Sequence, residues 1–386
     1  MARIVLNTYM VRYPMGGMLS WALQYALGVR QLGHDTYLVE KASYPNECWD
    51  PRRGEMTDDA SYGWTAVTEL LSRFGLEDRL CFVDYSGAYH GISKSPIEDV
   101  LRSADVFIDM SSHGQGDWDQ ESAHAQRRIL IDGEPGFNQM KMALRLNAGE
   151  ELPTYDAYFT NGLNIGTHRS PAPTAGRVWG HVPNPVATDL YTVGPPPDVA
   201  AQFTTVMNWQ SHDKLVFEGV TYGQKDVEFD KFADLPAHTS APMEIAVAGN
   251  MVPRAQLANA GWQVRDALEV TSSFDAYMDY IRGSTGEFSV CKHVFFATNS
   301  GWTSDRTAAY IASGRPAVVE DTEFGSVIPT GEGLFAVSTV EEAAAAIDQI
   351  TTDYQRHSRA AREIACEYFD ARKVMGKMLD NVGVGS

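Results

Sequence analysis

Basic residues are scarce in this chain: 31 lysines and arginines face 50 aspartates and glutamates, a formal charge of −19 over 386 residues. A polyanion would be repelled by most of such a surface, so nucleic acid is disfavoured as a partner, with only a local basic cleft left open to it. Cysteine is scarcer still. The four present, Cys48, Cys81, Cys291 and Cys366, show neither CxxC nor CxxH spacing, which argues against a structural zinc site and a disulfide framework. They read as free thiols. No apolar run approaches the roughly 20 residues needed to span a bilayer. Met1 to Asn7 reads as a core strand rather than as the charged, apolar and small-residue regions of a leader peptide, so a cytoplasmic location is expected. Internal repeats and low-complexity tracts are also absent.

What remains is a globular composition, 44% hydrophobic and 21% charged, in a chain too long for one ordinary core. Two domains are expected. Ala2 to Asn7 is apolar and β-branched; a Gly16-Gly17 turn follows, then an apolar-periodic helix from Leu19 to Leu32, closed by Gly33-His34-Asp35 before a strand at Thr36 to Glu40. This is the strand, helix, strand unit of a doubly wound sheet. Further strands are expected at Leu80 to Val83, Val106 to Asp109, Ile129 to Asp132 and Ala157 to Thr160. Val193-Gly194-Pro195-Pro196-Pro197 is stiff and extended, the composition of a hinge or linker. Beyond it, Thr204 to Met207, Glu244 to Ala248, Val294 to Ala297, Ala317 to Glu320 and Leu334 to Val337 predict a second α/β domain, with helices such as Phe274 to Ile281 and Glu341 to Ile350 between. The divisions read as 1–197, 198–355 and a helical tail, 356–386, that crosses back towards the first domain.

Chemistry-bearing residues cluster at strand ends. In Ser300-Gly301-Trp302-Thr303-Ser304-Asp305-Arg306 a helix start offers free N–H groups, and Arg306 adds a fixed cation, a combination suited to a diphosphate; the alternative is that Thr303 or Ser304 is a plain N-cap and Arg306 pairs with a surface carboxylate. Glu320-Asp321-Thr322-Glu323-Phe324-Gly325, one unit further on, offers acceptors for ribose or sugar hydroxyls, or else is a solvated turn. In the first half, Asp109 and His113 follow one strand, and Asp132-Gly133-Glu134-Pro135-Gly136 follows the next. Asp132 and Glu134 suit a catalytic base in a tight loop, or a turn that caps the sheet. Asp117-Trp118-Asp119 matches a metal-binding Asp-x-Asp pattern, but two carboxylates so spaced are common in an acidic chain. Aromatic residues Tyr9, Tyr13, Trp49, Trp64, Tyr85 and Tyr89, in first-domain loops, are candidates to stack on an acceptor ring or else pack the core.

Gly286-Glu287-Phe288-Ser289-Val290-Cys291-Lys292, Ser300 to Arg306, Gly314-Arg315-Pro316-Ala317-Val318-Val319 and Pro329-Thr330-Gly331-Glu332-Gly333-Leu334 with Glu341-Glu342-Ala343 together resemble the donor half of GT-B glycosyltransferases. Gly16-Gly17 and Leu32-Gly33-His34-Asp35 resemble that family's opening unit. The resemblance implies two Rossmann-like domains facing a cleft and a nucleotide-diphosphate sugar as co-substrate, with no cofactor. It implies an acceptor on the first domain and transfer without a metal. Donor contacts are then expected from Gly16, Gly17, Lys292, Trp302, Thr303, Ser304, Asp305, Arg306, Thr322, Glu323 and Phe324. Lys225 stands where the family commonly has a basic residue that neutralises the leaving diphosphate; a surface lysine beside Asp226 is the alternative. One departure is plain: many retaining members place two glutamates about seven residues apart around the donor helix, and here Gly301 and Ala309 occupy the approximate positions. An epimerase or hydrolase acting on the same ligand, or a binding protein of the same fold, remain competing readings.

Overall fold

The structure, a computed structural model, describes residues 1–111, 116–195, 201–211 and 213–385. His113, Pro196 and Pro197 therefore lie outside the described residues. Along the chain, β1 (Arg3–Asn7) and β2 (Asp35–Lys41) open the first sheet. A separate hairpin is made by β3 (Cys48–Asp50) and β4 (Glu55–Thr57), and β5 (Leu80–Val83), β6 (Tyr89–Gly91), β7 (Val106–Asp109), β8 (Arg127–Asp132), β9 (Ala157–Thr160) and β10 (Trp179–His181) complete the sheet. Its order is β10-β9-β8-β7-β1-β2-β5-β6, parallel throughout except that β6 is antiparallel to β5. The second sheet begins with β11 (Phe203–Asn208), and a small hairpin of β12 (Leu215–Phe217) and β13 (Val220–Tyr222) follows. Then come β14 (Met243–Ala248), β15 (Gln263–Asp266), β16 (Gly286–Ser289), β17 (Ala317–Glu320) and β18 (Leu334–Val337), in the spatial order β15-β14-β11-β16-β17-β18, all parallel. These are two Rossmann-like units.

In each sheet the chain turns back on itself beside its first strand, between β1 and β7 and between β11 and β16. The carboxyl ends of strands at such switch points are where open α/β sheets hold ligands. Buried parallel strands need apolar side chains on both faces, and Ile4, Val5 and Leu6 of β1 meet that need at 0% exposure. One apolar cluster runs from Ile4 and Leu6 through Leu23 and Tyr25 to Tyr277 and Ala308, so the two units share packed surface rather than only a tether.

The helix Gly16–Gln31 is where three parts of the chain meet. A Cβ on Gly16 would lie 2.5 Å from the Ser273 carbonyl oxygen, and one on Gly28 would lie 2.7 Å from that of Ala371. Glycine at both places lets the second domain and the C-terminal helix Ala371–Asn381 approach its backbone. Backbone bonds from Val186 N–H to the Phe369 carbonyl (2.7 Å) and from Ala371 N–H to that of Val186 (2.9 Å) fix the tail on the first unit. No helix among the described residues is long and apolar enough to cross a membrane.

One expected strand is a helix. His293–Ala297 forms a single helical turn with Val294 and Phe295 buried, and the strand that precedes it is Gly286–Ser289. The run Val294-Phe295-Phe296-Ala297 has the apolar content of a buried strand but packs with Phe137 and Met140 of the first unit. The true strand carries a buried glutamate, Glu287, made tolerable by an arginine from a distant helix.

Candidate active site

A cleft of about 780 Å³ opens between the two units, and its walls come from the loops that leave the switch-point strands. After β1 come Tyr9, Arg12, Tyr13 and Met15; after β7, Ser111 and Asp117; after β8, Glu134. The opposite wall has Asn208 at the end of β11, Ala248 at the end of β14 and Lys292 after β16, with Lys225 and Arg306 beside them.

Lys225 is half-buried, and among the described residues no hydrogen bond or ion pair holds its ammonium group. Burial, with Arg306 and Lys292 nearby, pushes its pKa down to about 7. A cation kept from water without a counter-ion is costly to the fold, and a bound anion would remove that cost. Lys292 differs: its Nζ donates to both Glu134 oxygens at 2.6 Å, an ion pair spanning the two units.

Arg306 is spent internally. It donates from Nε to Glu287 (2.7 Å) and from Nη1 to the Val206 carbonyl (2.7 Å), and also to Ser289 Oγ, which ties its helix to β11 and β16. Ser304 caps that helix, accepting from the Arg306 N–H at 3.1 Å, but the carboxylate that Arg306 meets is buried rather than at the surface. Asp305, at the start of the same helix, has its pKa raised by burial while Arg306 and Lys225 hold it down. The helix Gly16–Gln31 is the contrasting case: Met15 stands at its N-cap without a side-chain bond, and Met15, Gly17 and Met18 face the cleft. Free N–H groups at a helix start are an anion site, and here they stand across from Lys225.

The other expected residues are elsewhere. Trp302, Thr303 and Ser304 border a hollow of about 10 Å³, room for no more than a water. Thr322 and Phe324 are fully buried, Thr322 Oγ1 donating to the Trp302 carbonyl (2.7 Å), while the side chain of Glu323 is exposed. Residues 300–303 are held against the first unit: Asn164 N–H bonds the Ser300 carbonyl (3.0 Å) and Asn184 Nδ2 that of Thr303 (2.9 Å). Asn164 Nδ2 also bonds the Glu323 carbonyl at 3.1 Å. This loop pair clamps the two units together at the back of the cleft.

Asp132 is buried and accepts from Glu134 N–H, Asn138, Gln139 and Thr160 at 2.7 to 2.9 Å. The four donors engage both carboxylate oxygens, while burial raises its pKa; Asp132 shapes the loop that carries Glu134. Asp109 is likewise buried, accepting from Asn7 at 3.0 Å. Asp117 and Asp119 part company: Asp119 pairs with Arg128, and Asp117 lines the cleft.

A buried triad was not apparent in the sequence. Arg12 meets Glu40 (3.2 Å) and also Glu47, and its Nη2 donates to Ser111 at 2.9 Å. Glu40 accepts the N–H groups of Val11 and Arg12 at 2.8 and 2.7 Å, while burial pushes its pKa up to about 7. Arg12 sits in the loop leaving β1, so the strand-end rule would have found it; its glutamates, 28 and 35 residues on, carried no signal.

No family model matches the chain, and no curated protein matches it in sequence. Solved structures do. A crystal structure of Anabaena HepE in complex with UDP and glucose has a TM-score of 0.58 at 13% identity, covering 99% of each chain. An α-glucosyltransferase in complex with UDP and a 13-mer DNA gives 0.57 at 10% identity, covering 99% of this chain and all of the other, and TarM gives 0.56 at 9% with 98% of each covered. The chain has the GT-B fold: two parallel α/β units facing a cleft.

Proposed function

We propose that the protein is a glycosyltransferase, moving a sugar from a nucleoside diphosphate sugar to an acceptor without a metal ion. On this reading residues 198–355 hold the donor, 1–197 the acceptor, and 356–386 brace the first domain. The observation that carries it is Lys225, a half-buried cation without a partner among the described residues, flanked by Arg306 and Lys292 at the cleft of a GT-B fold. When the bond between the anomeric carbon and the phosphate oxygen breaks, negative charge grows on the leaving diphosphate, and fixed positive charge there is the main catalytic requirement. Lys225 supplies it, and the helix start at Gly17, rather than the buried Gly16, supplies hydrogen bonds from the other wall. The glutamates of retaining members are missing at Gly301 and Ala309, so the reading carries no stereochemical outcome.

Calorimetric titration with a panel of nucleotide sugars tests this. UDP-glucose comes first, since UDP is bound in two of the similar structures. One nucleotide sugar should bind more tightly than its free nucleoside, and turnover should persist in a chelator. Failure of the whole panel to bind contradicts the reading, and turnover that chelation abolishes and manganese restores contradicts its metal-free form.

A further inference from the structure

The first-domain wall of the cleft holds Tyr9, Tyr13, Tyr44, Glu47 and Asp117, and its one cation among the described residues, Arg12, is paired to Glu40 and Glu47. Even with Glu40 counted as neutral, Glu47 balances Arg12 and Asp117 stays uncompensated. The Asp117 side chain has no hydrogen-bond or ion-pair partner among the described residues, only its carbonyl being bonded, by Lys41 Nζ at 2.9 Å. Proteins that hold phosphate-bearing polymers meet them with lysine and arginine; this wall offers phenol rings, hydroxyls and a carboxylate. Tyrosine faces suit the C–H face of a sugar ring, and carboxylates suit its hydroxyls.

Resting on the glycosyltransferase reading, we propose that the acceptor is a neutral, hydroxyl-rich molecule of the saccharide class, and that Asp117 is the catalytic residue that accepts the proton of its attacking hydroxyl. The acceptor oxygen bonds to the anomeric carbon as the bond to the phosphate oxygen breaks. The nucleoside diphosphate leaves with that electron pair, and the hydroxyl proton passes to the Asp117 carboxylate. Burial raises the Asp117 pKa, as do Asp109 and Glu47, while Arg12 and Lys41 pull it down. The net shift is upward, so the active carboxylate form is lost on acidification at a pH above the usual carboxylate range.

The test uses the full chain and the nucleotide sugar found by titration, radiolabelled in the sugar. A native extract is split by anion exchange into neutral and anionic fractions, and each is offered as acceptor. Label should enter the neutral fraction. Asp117→Asn should lower that incorporation by about 100-fold or more, erase the acid limb of its pH profile and leave donor affinity unchanged. Label confined to the anionic fraction, to added duplex DNA, or to no fraction at all overturns the proposal, as does an Asp117→Asn protein with the wild-type rate and profile. If no nucleotide sugar binds at all, the glycosyltransferase reading itself has failed.

Discussion

The two walls of the cleft are built alike and charged differently. Each is made of loops leaving a parallel sheet at its switch point, yet among the described residues one presents Lys225 without a partner and the other Asp117 without one. Architecture decides where a ligand lies; the unpaired charge decides which part of the ligand each wall takes. Paired charges do different work. Arg306 with Glu287, and Arg12 with Glu40 and Glu47, hold loops and strands in register, and Lys292 with Glu134 joins the walls.

The comparison breaks most visibly if Lys225 is neutralised. Lys225→Met should lower transfer by about 10²- to 10³-fold, the usual cost of removing one stabilising group at the developing charge. Because the cation is desolvated and unpaired, the same change should raise the thermal midpoint by a few degrees. A variant with wild-type turnover and a lower midpoint would place Lys225 among the surface lysines.

Arg306 should behave in the opposite way. Arg306→Ala leaves Glu287 buried without its partner, so unfolding in denaturant should show a loss of about 3 to 5 kcal/mol. A variant of native stability that merely binds nucleoside diphosphate more weakly would return Arg306 to the role of phosphate anchor.

The smallest effect concerns a carboxyl pair behind the donor wall. Glu228 and Glu320, both buried, share Lys231, and Glu320 also accepts from the Cys291 N–H at 3.1 Å. Burial and the neighbouring Glu228 push Glu320 up to about 8, from an ordinary value near 4.5. Between those two pH values the unfolded chain has lost this proton and the folded chain keeps it, so stability falls as pH rises through the window. The shift of Glu228 is downward, so its own contribution is lost below about 4.5 instead. Glu320→Gln should flatten the fall of the thermal midpoint between about pH 5 and pH 8; an unchanged slope would show that the pair shares no proton.

How much of this was legible follows from where the information sits. Runs such as Ile4-Val5-Leu6 and Ile129-Leu130-Ile131 declare themselves as buried parallel strands, and the segments after them line the cleft, including Gly17 and Glu134. β16 was hidden because Glu287 reads as a polar interruption until Arg306, 19 residues away, neutralises it. Thr322 and Phe324 were expected as donor contacts from the GT-B resemblance, but the Trp302 carbonyl and the core take their side chains. Asp117 read as half of a metal motif, and only the separate pairing of Asp119 with Arg128 sets it apart.

The account stands on Lys225 being the cation that meets the donor diphosphate. Its pKa of about 7 leaves it mostly neutral at pH 8 in the free protein, and a bound diphosphate should restore its charge by drawing in a proton. Calorimetry of nucleotide-sugar binding at pH 8, in two buffers of different ionisation enthalpy, reads that proton directly. Uptake approaching one proton in the wild type, and none in Lys225→Met, is the predicted result; equal uptake in the two proteins, or none in either, would contradict it.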